Sequence, residues 1–348
     1  MAGTWTTQDK VLPGAYLNFQ TNTALSITPG DRGTVALLQE MSTGAAGETY
    51  TVTAEDDSGW PDAATDADKF LAAQALKNAK TVKIYNLGAE HTAEVLSAAL
   101  TALKTVAFDV LCYPYDNAAY SANQAAIKTW LQTMVEDEGR DIQAVLADDP
   151  ADYEYIINCA HAVKLADGTT LTNAQTCAWV AGATAGAGIN ESNTGLQYAG
   201  AVDVSPHMTK TEMETAVSDG KFIFKVDASQ NVTAVYDIDS LVTYTGAKSK
   251  VFRKNRVIRL LSGINNDITE IFESNYVGRF NNNAEGRSAF RTILVEYFNT
   301  LQDESAIQNF SSDDVTVEAG TDSDAVTVTI GLTPVDSIEK LYVTVNLA

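Results

Sequence analysis

Strict two-residue alternation near the end of the sequence constrains this chain more than any other feature. Val326, Val328 and Ile330 alternate with threonines across Asp324–Ile330, and Leu341, Val343, Val345 and Leu347 alternate with Tyr342, Thr344 and Asn346 across Glu339–Leu347. Period-2 patterning of this kind predicts half-buried strands. The second run closes just before Ala348, so its cover is expected from another chain. Gly14–Phe19, with Ala15, Tyr16, Leu17, Asn18 and Phe19, reads as a further strand behind Pro13. An unpaired strand presents N–H and C=O groups that template pairing with a second molecule. One such strand near each terminus predicts a subunit that stitches itself to copies of itself. Fully extended, Trp5–Gln20 would reach roughly 50 Å, enough to cross to a neighbour.

Between these ends, strand-like and helical stretches take turns. Thr34–Gln39 and Thr49–Thr53 read as strands, and Ala64–Ala79 as a helix. Then come Val82–Leu87 (strand), Thr92–Lys104 (helix), Phe108–Tyr113 (strand), Ser121–Asp137 (helix) and Asp141–Leu146 (strand). Ala151–Ala160 reads as a helix and Ala162–Leu165 as a strand. This order predicts an α/β layer around a largely parallel sheet. Trp179–Gly188 predicts a helix that glycine interrupts, and Phe222–Asp227 with Val232–Tyr236 a hairpin. Two long helices follow, Val251–Phe272 and Glu285–Asp303, around the loop Asn281–Asn283. The expected fold class is α/β, α+β overall. An N-terminal arm (1–20) precedes an alternating β/α core (21–245). An inner C-terminal domain (246–335) then carries the long helices and a small sheet, and an arm strand (336–348) ends the chain. That small sheet is expected to be completed by terminal strands of neighbouring subunits.

The 348 residues carry a net charge of −22. Such a field opposes nonspecific binding to nucleic acid or anionic membranes, and makes copies repel unless particular patches match. No run approaches the ~20 apolar residues of a membrane span. The first residues (MAGTWTTQDK) lack the basic and apolar regions of a signal peptide, so export by that route is not expected. Cys112, Cys159 and Cys177 lack paired spacing and read as reduced, buried thiols of a cytoplasmic product. Nine cations but only four acids lie between Lys248 and Arg291, so this stretch is net +5. Within it, apolar residues recur at three and four from Phe252 to Ile271, which predicts an inward apolar face. Arg253, Lys254, Arg256 and Arg259 would then form either a solvated surface or a docking strip for an acidic partner.

No constellation of residues asks for catalysis. His91, His161 and His207 have no helix-face spacing, and no cysteine pair has zinc-site spacing. Gly182, Gly186 and Gly188 lack the Lys-Ser/Thr of a phosphate-cradling loop, so close backbone packing is the preferred reading. The acidic loops Glu55–Asp57, Asp148–Asp149 and Asp313–Asp314 lack calcium-loop spacing. No G-x-S-x-G elbow occurs. No catalytic residue, cofactor or metal is therefore expected. An α/β enzyme whose site gathers distant residues stays open as a rival, as does another self-assembling capsid or tube subunit.

Several stretches carry a family resemblance. Lys10–Phe19 (KVLPGAYLNF) resembles the opening strand of contractile tail sheath proteins, found in contractile phage tails and R-type bacteriocins, and Arg32–Leu37 resembles the strand that follows. Val180–Gly182 through Ser192–Thr194 is similar to that family's Ala-Gly-rich helix and downstream Ser-x-Thr. Phe252–Arg259 (FRKNRVIR), Asp267–Ile268, Tyr276–Gly278, Asn282–Asn283 and Gly286–Arg287 form the most specific match. Pro334–Val345 is similar to the closing strand. The chain departs from many such proteins in lacking large outward insertions.

The resemblance implies a homo-oligomeric helical sheath of stacked hexameric rings around a tail tube protein. It implies baseplate and tail-terminator or collar partners, with no direct nucleic-acid contact and no membrane insertion. Assembly would take place in the bacterial cytoplasm, within a phage tail or bacteriocin particle released by lysis. Ala15–Phe19 would be the donated N-terminal strand, Leu341–Leu347 the C-terminal one, and Val326–Ile330 its local partner. Arg253, Lys254, Arg256 and Arg259 would face the tube.

Overall fold

The computed structural model describes residue 30 and residues 32–347, apart from Glu55, Asp56 and Asn117. The expected strand Ala15–Phe19 lies outside the described residues. Strands β1 (Thr34–Gln39) and β2 (Thr49–Thr53) lead into helix α1 (Asp66–Ala75), where Thr65 and Asp68 form a reciprocal capping box. Then follow β3 (Thr81–Asn86), α2 (Ala93–Leu103), β4 (Val110–Tyr113), α3 (Ser121–Gln132), β5 (Gln143–Ala147) and β6 (Ile156–Cys159). A π-helical turn, Thr133–Asp137, prolongs α3 to the end expected from its spacing.

Residues of the inner strands β1, β4, β5 and β6 are buried on both faces and sort by parity. Val35, Leu37, Val110, Cys112 and Val145 enter one core, whereas Ala36, Leu38, Leu111, Tyr113 and Leu146 enter the other. Continuous apolar strands covered on both faces are the mark of a parallel sheet under helices. With Lys221–Phe222 as β10, the seven-stranded order is β10-β6-β5-β4-β1-β3-β2. All neighbours are parallel except β2, which runs antiparallel to β3.

The expected helix Ala151–Ala160 is instead a loop and the strand β6. Its β-branched pair Ile156–Ile157 sits fully buried opposite Ala144 and Val145 of β5, a pleated environment that overrides the alanines around it. Beyond it come β7 (Ala162–Leu165), β8 (Thr170–Leu171), α4 (Asn173–Gly186), β9 (Ala201–Ser205), α5 (Lys210–Ser218), β10 (Lys221–Phe222), β11 (Phe224–Val226) and β12 (Val232–Ala234). Strands β11 and β12 form the expected hairpin. Helix α4 opens at a Thr172–Gln175 capping box and runs through Gly182, so glycine does not break it there.

A third core is built by α6 (Asn255–Ile271), α7 (Ala284–Asp303), β13 (Val315–Ala319) and β14 (Val326–Ile330). Leu260 and Ile264 of α6 meet Phe290, Leu294, Tyr297, Phe298 and Leu301 of α7, with Val315 closing the end. Both helices fall close to their expected bounds.

Candidate assembly interface

Strand β14 is paired antiparallel with β13, from Val315 opposite Ile330 to Ala319 opposite Val326. The C-terminal run was also expected beside Val326–Ile330; β13 fills one edge of β14, and among the described residues its other edge is open. The missed strand β13 (VTVEA) has the right parity but little length. Val317, Val328 and Ile330 rest against the third core, while Thr316, Thr327 and Thr329 face out. Among the described residues this sheet has two strands, so the outer edges of both carry no ladder. Two strands are marginal alone, and an open edge accepts a further one.

Glu339–Leu347 is not laddered among the described residues. A strand is a paired object, and alternation alone supplies no hydrogen bonds. The apolar side of the run lies in solvent: Leu341 is 82% exposed, Val343 69%, Val345 75% and Leu347 93%. Exposed apolar rows of this length on a soluble protein mark interaction sites.

The root of this tail is fixed. Lys254 pairs with Glu339, and with Asp336 at 3.2 Å. Arg256 Nη1 donates to Ser337 Oγ at 2.9 Å. The Thr194 hydroxyl donates to Glu339 Oε1 at 2.7 Å, and Ser192 Oγ lies 3.1 Å from the same oxygen. Burial alone would lower the Lys254 ammonium, but the hydrogen bond and charge of Glu339 hold it above its ordinary range. The Ser-x-Thr signal at Ser192–Thr194 was visible in the sequence; its carboxylate partner, some 145 residues away, was not.

Arg253, Arg256 and Arg259 are buried, and Lys254 is nearly so, which overturns the exposed cationic strip. Arg259 is fully enclosed, its Nη2 donating to Asp237 Oδ2 and to the Glu191 carbonyl, each at 2.8 Å. Asp237 also accepts from the Asn193 amide at 3.0 Å and from Asn255 Nδ2 at 2.9 Å. A desolvated guanidinium needs a fixed counter-charge, so Arg259 turns inward to join α6 to the main body, while Lys254 and Arg256 hold the segment Asp336–Glu339. They are not a tube-facing surface.

The other end of α6 holds the start of the described chain. Asp267 accepts the Gly30 amide at 3.0 Å and the Tyr297 hydroxyl at 2.7 Å. Asp109 accepts the Gly33 and Thr34 amides, each at 2.9 Å. One helix therefore holds both the start of the described chain and the segment Asp336–Glu339.

Asn266, also on α6, clamps Asp141: its Nδ2 donates to the Asp141 carbonyl at 2.9 Å, and its Oδ1 accepts the Asp141 amide at 3.1 Å. Burial, helped by the charge of Glu154, pushes the Asp141 carboxyl from 3.8 up to about 6, against the pull of the Tyr155 hydroxyl. A carboxyl raised in this way binds more protons folded than unfolded, so its contribution to stability falls as pH rises from about 4 to about 6. Asp141→Asn is expected to stabilise the protein by about 2 kcal/mol at neutral pH and to flatten that slope. Urea unfolding at both ends of the window checks it; an unchanged slope refutes it.

The remaining candidates serve structure. His161 Nδ1 accepts the Phe224 amide at 3.0 Å while its Nε2 donates to the Pro206 carbonyl at 2.7 Å. His91 bridges Glu40 and the Tyr113 hydroxyl at 2.7 and 2.8 Å and stacks on Tyr120. His207 lies 3.0 Å from Asp203 on the surface. The three cysteines are buried and unbonded. Among the described residues no helix is long and apolar enough to cross a membrane.

Comparison with known proteins bears on this geometry. Three successive family descriptions match: "Tail sheath protein Gp18 domain III N-terminal region" over 32–87, "Phage tail sheath protein central domain" over 89–239 and "Phage tail sheath C-terminal domain" over 247–348. The chain is 32% identical over 341 residues to the phage-like element PBSX protein XkdK of Bacillus subtilis strain 168, covering 95% of this chain and 72% of that protein. A crystal structure of a sheath tail protein from Desulfitobacterium hafniense aligns with TM-score 0.84 and 32% identity over 95% of this chain and 99% of that one. The contracted helical sheath of the anti-feeding prophage shares the fold, with TM-score 0.76 and 15% identity over 97% of this chain and 100% of that one.

Proposed function

This chain belongs to the phage tail sheath family, a family of structural proteins, and on that premise we propose how it works. It polymerises as stacked hexameric rings around a rigid tail tube, each copy donating terminal strands to its neighbours, and shortens to drive the tube through a cell envelope. An outer body ending near residue 245 carries an inner unit of α6, α7 and the β13–β14 hairpin. Tube, baseplate and terminator or collar proteins are its partners, and assembly takes place in the bacterial cytoplasm. The work is mechanical, with no covalent step.

One observation carries this reading: the apolar row Leu341–Leu347 stands in solvent while its root, Asp336–Glu339, is clamped onto α6. A clamped root with a bare strand is what β-strand addition requires, main-chain hydrogen bonds giving affinity and alternate side chains giving register. A head-to-tail link that does not close on itself generates a helix. Deleting residues 341–347 spares the clamp, so the chain is expected to keep its circular dichroism and melting temperature but form no tubes by negative stain. Deleting residues 1–20 is expected to do the same. Normal long tubes from the C-terminal deletion would sink the strand-exchange reading.

A further inference from the structure

A groove of about 880 Å³ lies between α5, the β11–β12 hairpin and the segment that opens α6. Its walls carry Lys210, Lys225, Lys250, Arg253, Lys254 and Lys340 against the carboxylates Glu214, Asp336 and Glu339. This excess of cations sits in a chain whose net charge is −22. Lys254 is shared between Asp336 and Glu339, a trio of net −1, and Lys210 lies 3.7 Å from Glu214. Lys225, Lys250 and Lys340 are exposed and form no ion pair among the described residues, whereas Arg253 is buried beside Asp239. The groove therefore has uncommitted positive charge.

Its place in the fold says what it meets. Lys340 and Tyr342 line it, so the C-terminal arm leaves from the groove itself. Whatever takes up Leu341–Leu347 as a strand is carried to within a few residues of these cations. In the strand-exchange reading, on which this inference rests, that acceptor is the β13–β14 hairpin of another copy. Residues 311–331 contain Asp313, Asp314, Glu318, Asp322 and Asp324 and no lysine or arginine. Acids stand at both ends of that hairpin, Asp313 and Asp314 at its base and Asp322 and Asp324 at its turn. Parallel or antiparallel addition thus delivers an acidic end to the groove. We infer that this groove seats the acidic hairpin of a second copy of this chain, setting an ionic contact beside each exchanged strand. Complementary patches of this kind select partners and register between molecules that otherwise repel.

The test uses the full-length chain and the concentration at which it assembles, read by light scattering and negative stain. Lys210→Glu, Lys225→Glu and Lys250→Glu together alter exposed side chains, so the fold should survive, as circular dichroism would show. The expected result is a rise of about tenfold in the assembly concentration, from losing several solvent-exposed pairs. Wild-type assembly should also weaken with added salt. Adding Asp313→Lys, Asp322→Lys and Asp324→Lys to the same chain should restore assembly. Assembly of the groove variant at the wild-type concentration, or a loss that the hairpin reversals do not repair, overturns the inference. The 341–347 deletion separates the two ideas. If it abolishes tubes while the groove variant behaves as wild type, only the groove assignment fails; if it too assembles normally, strand exchange fails.

Discussion

Asp237→Ala is expected to destabilise this protein by about 3–5 kcal/mol, the cost of stranding one member of a buried ion pair. Arg259 is fully enclosed, and among the described residues Asp237 alone supplies a counter-charge within hydrogen-bond reach, with Nε and Nη1 unpartnered. Asp237 also receives the Asn193 amide and the Asn255 side chain, so its loss takes an acceptor from three donors at once and the counter-charge from Arg259. Arg259→Met should cost less, because the carboxylate keeps two of its donors. Urea unfolding of both variants checks the ordering. Since these contacts join α6 to the main body, Asp237→Ala should also loosen the third core ahead of the sheet, giving unfolding in two steps by tryptophan fluorescence and circular dichroism. All four tryptophans lie before Asp237, so the two probes report on different parts of the chain. A single transition at the wild-type midpoint would refute the assignment.

The central sheet was legible because its signal is local. Parity within Val35–Leu38 and Val110–Tyr113 assigns each side chain to one of two cores, and the structure sorts them that way. The long helices were equally legible from their three-and-four spacing. Strand β6 was misread because four buried residues beside alanine and tyrosine carry no periodicity that separates strand from helix.

The cations were misread for a deeper reason. Amphipathic reasoning assumes that one face of a helix meets water. Over its first six residues, Asn255–Leu260, α6 is buried all round. Its charged side chains are answered by Asp237, Asp336 and Glu339, which reach it through the fold and not through local spacing. The C-terminal run was legible as a strand pattern, yet alternation alone does not say which strand supplies its ladder. Of the proposed interface, the sequence shows the donor row and one strand of the acceptor; the clamp and the groove emerge only in three dimensions.

Gly182→Val is expected to damage the body of the protein severely. A Cβ added at Gly182 would lie 2.1 Å from the Ala75 carbonyl oxygen, and one at Gly186 would lie 2.0 Å from that of Asn78. Both obstacles are backbone at the end of α1, so no side chain can swing aside. The two helices would have to part, and α4 cannot retreat, because its other side is packed beneath the sheet and Trp179 is stacked on Tyr198 at 4.5 Å. Overpacking a core typically costs about 1–3 kcal/mol and more where the backbone must shift, so a loss above about 3 kcal/mol is expected here, with little soluble protein recovered. Gly246→Ala is the control: nothing lies within 4 Å of its Cβ position, and its stability should be near wild type. The same contact accounts for the glycine spacing in α4 without any phosphate ligand. A Gly182→Val chain that unfolds at the wild-type urea concentration would show that α1 and α4 can separate freely, and the glycines would then need another explanation.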